Sequence, residues 1–202
     1  MNQNINTYGK QASTLAASYN SLATPDILPD FAQHILGLPD KAASRVLDLG
    51  CGTGRDAFWV AQQGVAVVAA DGAPEMLVQA RKDHHHYLIN YIEDAAPNLQ
   101  NLNQLGIQYD TVLMGAFLFH FDAAERQELY SNMKSLLRDN SKLFITLRHG
   151  PVPEGRIMHS VPLQELDDLA KAHGGTSQFH GNKPDPLNRP GVSWDHVCLN
   201  LT

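Results

Sequence analysis

Three glycines in the stretch VLDLGCGTGRDA, Gly50, Gly52 and Gly54, separate an apolar segment from one of helical composition. Glycine lets the backbone turn tightly and approach a ligand at the start of a helix. The dinucleotide-binding spacing needs its third glycine at position 55, where this chain has Arg55. A phosphate-cradling loop needs Lys and then Ser or Thr after its last glycine, and Arg55 and Asp56 stand there instead. Two carboxylates flank the turn, Asp48 before it and Asp56 after it. A carboxylate ~4 Å from a phosphate costs up to about 4 kcal/mol per charge pair at an effective dielectric of about 20. The turn therefore disfavours a pyrophosphate and suits a ligand that carries an ammonium and a sulfonium.

A second group of chemically capable residues lies in RHGPVPEGR, Arg148 to Arg156, directly after the apolar run KLFITL. Pro151 and Pro153 stiffen this loop, while Gly150 and Gly155 permit sharp turns. Such an arm can hold Arg148 or Arg156 toward a carboxylate or another anion at small entropic cost. The alternative is that they pair with Asp167, Asp168 or another surface acid. Arg189 and Trp194, in NRPGVSW, are candidates to close the same side of a pocket. His120, in GAFLFHF, either faces a ligand as an acid or base or helps to cap the next helix. The run His84 to His86 invites a metal reading, but adjacent side chains on a helix end diverge. No metal is expected, and exposed histidines at a helix carboxyl end suit its dipole.

These residues are carried by alternating elements. RVLDL, VAVVAAD, YLINYI (87–92), YDTVLMGAF (109–117) and SKLFITLRH read as strands covered on both faces. RDAFWVAQQG, closing at Gly64, and APEMLVQARKD, with proline in its first turn, read as helices. FDAAERQELYSNMKSLLRDN has a capping-box pattern at Asp122 and Glu125, and Leu129, Met133, Leu136 and Leu137 share a face. VPLQELDDLAKAHGG places Leu163, Leu166, Leu169 and Ala170 on one stripe. VSWDHVCLNL alternates and reads as a last strand near an edge. Strands alternating with helices predict an α/β fold with a mainly parallel sheet, whose ligands gather at the carboxyl ends of the strands. Residues 1–44 read as a helical cover of the site and 45–202 as the core of a single domain.

Composition narrows the function classes. Of 202 residues, 43% are hydrophobic and 18% charged, which is globular. A net charge of −6 without a basic cluster removes the footprint of a polymeric nucleic-acid binder. MNQNINTYGK lacks an apolar core, and no apolar run is long enough to span a bilayer. With two cysteines, Cys51 and Cys198, and no disulfide framework, a soluble cytoplasmic protein is expected. Oligomeric state is left open.

VLDLGCGTGRDA followed by VAVVAADGAPEMLVQAR is similar to the first two motifs of class I S-adenosylmethionine-dependent methyltransferases. The match is strong from Val46 to Arg81 and continues in element order through most of the chain. The resemblance implies a Rossmann-like three-layer sandwich with a seven-stranded, mostly parallel sheet whose last strand is antiparallel. It implies that Asp48, Gly50, Cys51 and Gly52 line the amino-acid end of S-adenosylmethionine, and that Asp71 accepts from both ribose hydroxyls. Gly72 and Met76 would flank the adenine, Asp94 would accept from its amino group, and Met114, Gly115 and Ala116 would pass beneath the donor. For Asp94 the lesser alternative is a solvated loop acid or helix cap. Tyr8 and Tyr19 match positions over the donor, where ordinary packing is the alternative. Arg148, His149, Arg156 and Trp194 are then candidates for the acceptor side and His120 for catalysis. The implied reaction is methyl transfer to a small-molecule acceptor, anionic or aromatic. The rival readings are a nicotinamide-dependent oxidoreductase and a protein that binds the donor without chemistry.

Overall fold

The computed structural model of the protein describes residues 2–202, the side chain of Asn2 excepted. Five strands run parallel: β1 (Arg45–Leu49), β2 (Ala66–Asp71), β3 (Ile89–Glu93), β4 (Tyr109–Met114) and β5 (Leu137–His149). With β6 (Thr176–Pro184) and β7 (Ser193–Asn200) they form one sheet of order β3-β2-β1-β4-β5-β7-β6. The last strand, β7, is antiparallel to both of its neighbours. Helices α1 (Asn2–Tyr19), α2 (Thr24–Ile27) and α3 (Pro29–Leu36) precede the sheet. Helices α4 (Arg55–Gln62), α5 (Pro74–Asp83), α6 (Gln100–Gln104), α7 (Ala123–Met133) and α8 (Leu163–Ala172) alternate with its strands.

Side chains alternate along a strand, and that period sorts the core into two layers. Val46, Val67, Leu113 and Phe144 pack with Phe31 and Ile35 of α3 and with Val60 of α4. Leu47, Leu49, Val112, Met114 and Ile145 pack on the other face with Leu102 of α6, Met133 of α7 and Leu166 of α8. The result is a Rossmann-like three-layer sandwich. Among the described residues no helix is long and apolar enough to cross a membrane.

Local signals act where the sequence placed them. Asp122 Oδ1 accepts from Glu125 N at 2.9 Å and Glu125 Oε2 from Asp122 N at 3.0 Å, completing the capping box of α7. One expectation needs correction. The α7 segment ends at Met133 and tightens into a 3-10 turn over Lys134–Leu136, so Leu137 opens β5, paired with Tyr109, and does not share the helix face. β7 lies next to the edge as expected, between β5 and β6, with Asp195 to Leu199 buried. The edge is β6, TSQFHGNKP, whose polar side chains give no apolar period but suit an edge that must not recruit another strand.

Two polar contacts tie helices to this frame. Arg126 of α7 is 2% exposed, donates from Nε and Nη2 to the two carboxylate oxygens of Glu165 of α8 at 2.7 Å each, and from Nη1 to the Phe121 carbonyl at 2.7 Å. Removing the carboxylate leaves a buried guanidinium unpaired, so Glu165→Ala should cost about 3 kcal/mol and lower Tm by roughly 6–12 °C in a thermal melt. In α3, His34 Nε2 lies 2.8 Å from Thr111 Oγ1 beneath the helix. Burial, with the Lys142 charge second, lowers its pKa to about 4 from an ordinary 6.5. The unfolded chain takes up this proton below 6.5 and the folded one only near 4, so neutral His34 stabilises fully above pH 6.5 and this contribution is lost as pH falls toward 4. The urea midpoint should drop across that window, and drop less in His34→Gln.

Candidate active site

A cavity of about 600 Å³ opens over the carboxyl ends of β1, β2, β4 and β5. It lies where strand order reverses between β1 and β4, the crevice in which ligands of such sheets bind. Asn4, Tyr8 and Tyr19 of α1 cover it, with Leu22 and Ile27 following.

The floor is the glycine turn, fastened to the end of β2. Gly50 N and Cys51 N donate to the Ala70 carbonyl at 2.8 and 3.0 Å. Gly52 N donates to Asp71 Oδ2 at 2.9 Å, and Ala73 N to Asp71 Oδ1 at 2.8 Å. Gly50 has φ 78° and Gly52 φ 54°, left-handed values that side chains disfavour, and a Cβ on Gly50 would strike the Phe117 ring. Burial raises the Asp71 pKa while the two N–H donors hold it down. Each of its oxygens keeps a further lone pair for a ligand. The Cys51 thiol is pushed well above its ordinary value by burial and then by Asp71 and Asp48, so it lines the cavity as a thiol and not as a nucleophile.

Gly50, Cys51, Gly52, Asp71, Gly72, Met76, Asp94, Gly115 and Ala116 all line this cavity, as do Tyr8, Tyr19, His120, Arg148, Arg156 and Trp194. Asp94 also organises the chain, accepting from Ala95 N at 2.9 Å and from Leu102 N of α6 at 2.8 Å. Ala116 holds a left-handed φ of 56° at the end of β4, its N–H donating to Thr146 Oγ1 at 2.8 Å.

Three expected residues lie elsewhere, each for the same reason of strand alternation. Asp48 shares the face of Val46 and sits beneath the start of α4, outside the lining, where Ala57 N donates to it and Oδ2 has no partner among the described residues. Burial, then Asp56, drives its carboxyl well above the carboxylate range. Met114 is fully buried in the opposite core layer. His149 follows Arg148 by one residue and so faces away, its Nε2 2.8 Å from Asp195 Oδ2. Thr146 and Arg148 are the β5 residues on the cavity side, beside His196 and Trp194 of β7.

His120 does not cap α7, a task that falls to Asp122. Its Nδ1 lies 3.3 Å from the Ile157 carbonyl and 3.4 Å from Asn4 Nδ2, and its Nε2 lies 3.1 Å from the Tyr8 hydroxyl. Burial, reinforced by Arg156, lowers the His120 pKa to about 4 and keeps it neutral. Arg156 stacks 4.3 Å over the Tyr8 ring. Arg148 Nη1 donates to the Pro151 carbonyl at 2.8 Å. Neither arginine takes the expected surface acids: Asp167 binds Lys171 at 2.5 Å and Asp168 accepts from Gln164 at 2.8 Å.

Sequence reasoning passed over Asp185. Its side chain is 1% exposed, with Oδ1 accepting from Arg189 Nη2 at 2.6 Å and Trp194 Nε1 at 2.8 Å, and Oδ2 from Arg189 N and Nε at 2.8 and 2.9 Å. Its signal was PDPLNRPG, an acid and an arginine four apart between prolines. His84, from the histidine run, lies with Nδ1 2.7 Å from the Thr53 carbonyl, and no group of three metal-capable side chains occurs among the described residues.

Residues 46–140 match the family described as the methyltransferase domain. Magnesium-protoporphyrin O-methyltransferase of Synechocystis sp. is 33% identical over 91 residues, 45% of this chain and 39% of that protein. Malonyl-[acyl-carrier protein] O-methyltransferase of Serratia marcescens is 37% identical over 95 residues, 43% of this chain and 36% of that one. The match thus spans less than half the length of these curated relatives. In three dimensions, a SAM-dependent methyltransferase from Anabaena variabilis aligns over 97% of this chain and 93% of its own with a TM-score of 0.71 and 14% identity. The solved Synechocystis magnesium protoporphyrin IX methyltransferase with bound SAM aligns over 88% of this chain and 80% of its own, with a TM-score of 0.66 and 19% identity.

The glycine turn depends on Gly50 in this geometry. Gly50→Ala combines a disfavoured φ with a clash against Phe117, and should cost about 2–4 kcal/mol, seen as a Tm lower by roughly 5–15 °C.

Proposed function

We propose that the protein transfers a methyl group from S-adenosylmethionine to a small-molecule acceptor. The observation that carries this reading is the Asp71 carboxylate at the end of β2, in the cavity wall, pinned by Gly52 N and Ala73 N with acceptor capacity left on each oxygen. A bidentate acceptor at this position fits the two ribose hydroxyls. Asp94, Gly72 and Met76 line the same end, on the side expected for adenine. Gly50, Cys51, Gly52, Gly115 and Ala116 stand at the switch point, where open backbone leaves room for the amino-acid part and the methyl. Asp48, behind the turn, contributes only at a distance.

When bound, the donor supplies an electrophilic methyl with its own leaving group. The protein's residues then have to align and to exclude water, effects worth up to ~7 kcal/mol or more. Residues 1–44 serve as the cover and 45–202 as the core, since α1 supplies Asn4, Tyr8 and Tyr19 to the cavity. The two relatives named O-methyltransferases support a small acceptor methylated on oxygen. The cations near the site line a cavity and form no surface stripe, in keeping with an acceptor that is not a nucleic acid. Both cysteines are free, which suits the cytoplasm.

Calorimetric titration should show S-adenosylhomocysteine binding and NAD not binding; tight binding of NAD alone would sink the reading. Asp71→Ala should weaken S-adenosylhomocysteine at least tenfold, roughly the loss of one or two charge-assisted hydrogen bonds. Unchanged affinity would remove Asp71 from the donor site.

A further inference from the structure

Resting on the methyl-transfer reading, the geometry points to an acceptor that is a small organic acid, whose oxyanion is held by Arg148 and Arg156 and is itself methylated. Strand alternation turns Arg148 into the cavity, in register with Trp194 of the neighbouring β7. Arg156 enters from the loop that follows β5. The Nε atoms of both are buried and have no partner among the described residues. Their terminal nitrogens meet neutral groups: the Pro151 carbonyl and Met158 Sδ for Arg148, and Gln11 Oε1 at 3.4 Å for Arg156. Among the described residues no carboxylate is within ion-pair distance of either guanidinium. The acid at this end of the cavity, Asp185, is saturated by four donors from Arg189 and Trp194, which fill its four lone-pair sites. Two partly desolvated cations therefore face the cavity without a counter-ion.

Among the described residues beside the two arginines no base is free: both His120 ring nitrogens are occupied, Nε2 against the Tyr8 hydroxyl and Nδ1 against the Ile157 carbonyl and Asn4 Nδ2, and Asp185 has no vacant oxygen, while His196 lies two residues further along β7, in register with Thr146. An alcohol, phenol or ammonium acceptor must lose a proton to something, whereas the oxygen of an acid anion already carries its lone pair. In the transfer the S–CH3 bond breaks, its electron pair stays on sulfur, and an O–CH3 bond forms. The sulfonium becomes a neutral thioether, the oxyanion loses one negative charge, and no proton is released. Phe119, Met158 and Trp194 in the lining suit an apolar body on the acid.

The test uses the full chain saturated with S-adenosylhomocysteine and titrated with benzoate, phenylphosphonate and neutral benzamide. At least one acid should bind and benzamide should not; which acid binds separates a carboxylate from a phosphonate site. Arg148→Gln should weaken that acid roughly tenfold or more while S-adenosylhomocysteine affinity stays within about twofold, and Arg148→Lys should recover part of the loss. With S-adenosylmethionine as donor, an indicator assay should find no proton released per methyl transferred. S-adenosylhomocysteine binding without either acid at millimolar concentration overturns the inference, as does undiminished acid binding by the Arg148→Gln, Arg156→Gln double variant, or stoichiometric proton release. Failure of S-adenosylhomocysteine itself to bind falls on the methyl-transfer reading instead.

Discussion

The site rests on one carboxylate. Asp71 closes β2 and receives Gly52 N and Ala73 N on its two oxygens, so a single side chain fixes the turn after β1 and the start of α5 together. The Ala70 carbonyl beside it takes two more N–H groups from Gly50 and Cys51. Four backbone donors that a tight turn would otherwise leave unsatisfied are thereby paired. The glycines are required because this fastening pulls the turn into left-handed φ and against Phe117. A longer side chain at Gly50 would lift the turn and, with it, the floor of the cavity.

Charge is distributed along the sheet in a way that follows from strand order. Asp71 and Asp94 stand at the ends of β2 and β3, while Arg148 is at the end of β5. Between β2 and β5 lie three strand spacings, about 14 Å at ~4.8 Å each, well beyond the ~4 Å reach of an ion pair. The acidic end can therefore favour hydroxyl and amino donors while the arginines favour an anion, with little mutual neutralisation. Arg55, directly after the glycine turn, is held by Asp56 at 2.6 Å, and Asp56 in turn by Thr24 Oγ1 at 2.7 Å. That pair leaves Asp71 free of a competing guanidinium.

The sheet was legible because its interior strands are apolar throughout, and the glycine turn because few residues tolerate its backbone. Position along a strand was legible, but the face was not. Asp48, Met114 and His149 sit within one or two residues of true lining positions and point elsewhere, since neighbours on a strand face opposite sides. Reading Thr146, Arg148, Trp194 and His196 as a single face required the β5–β7 register, which only the paired strands supply. β6 was not legible at all: an edge strand with a polar pattern carries no hydrophobic period. Asp185 was missed because its role comes from four donors that its own sequence neighbourhood brings together only after the β6–β7 loop has folded.

The cover over the cavity is joined to the arginine loop, so the two act as one wall. Buried Asn4 exchanges both hydrogen bonds with Ile157, donating to its carbonyl at 3.0 Å and accepting from its N–H at 2.8 Å. Thr7 Oγ1 donates to the Gly155 carbonyl at 2.8 Å, and the Arg156 guanidinium lies over Tyr8. His120 completes the joint from the β4 side, its Nδ1 against Ile157 and Asn4 and its Nε2 against the Tyr8 hydroxyl. This arrangement suits a neutral imidazole, because a second ring proton would remove the ring's one acceptor and add a cation beside Arg156. The low pKa that makes His120 a weak base is thus the condition for its structural task. Its position at the meeting of cover, loop and strand end lets it set where Tyr8 and Arg156 stand in the cavity.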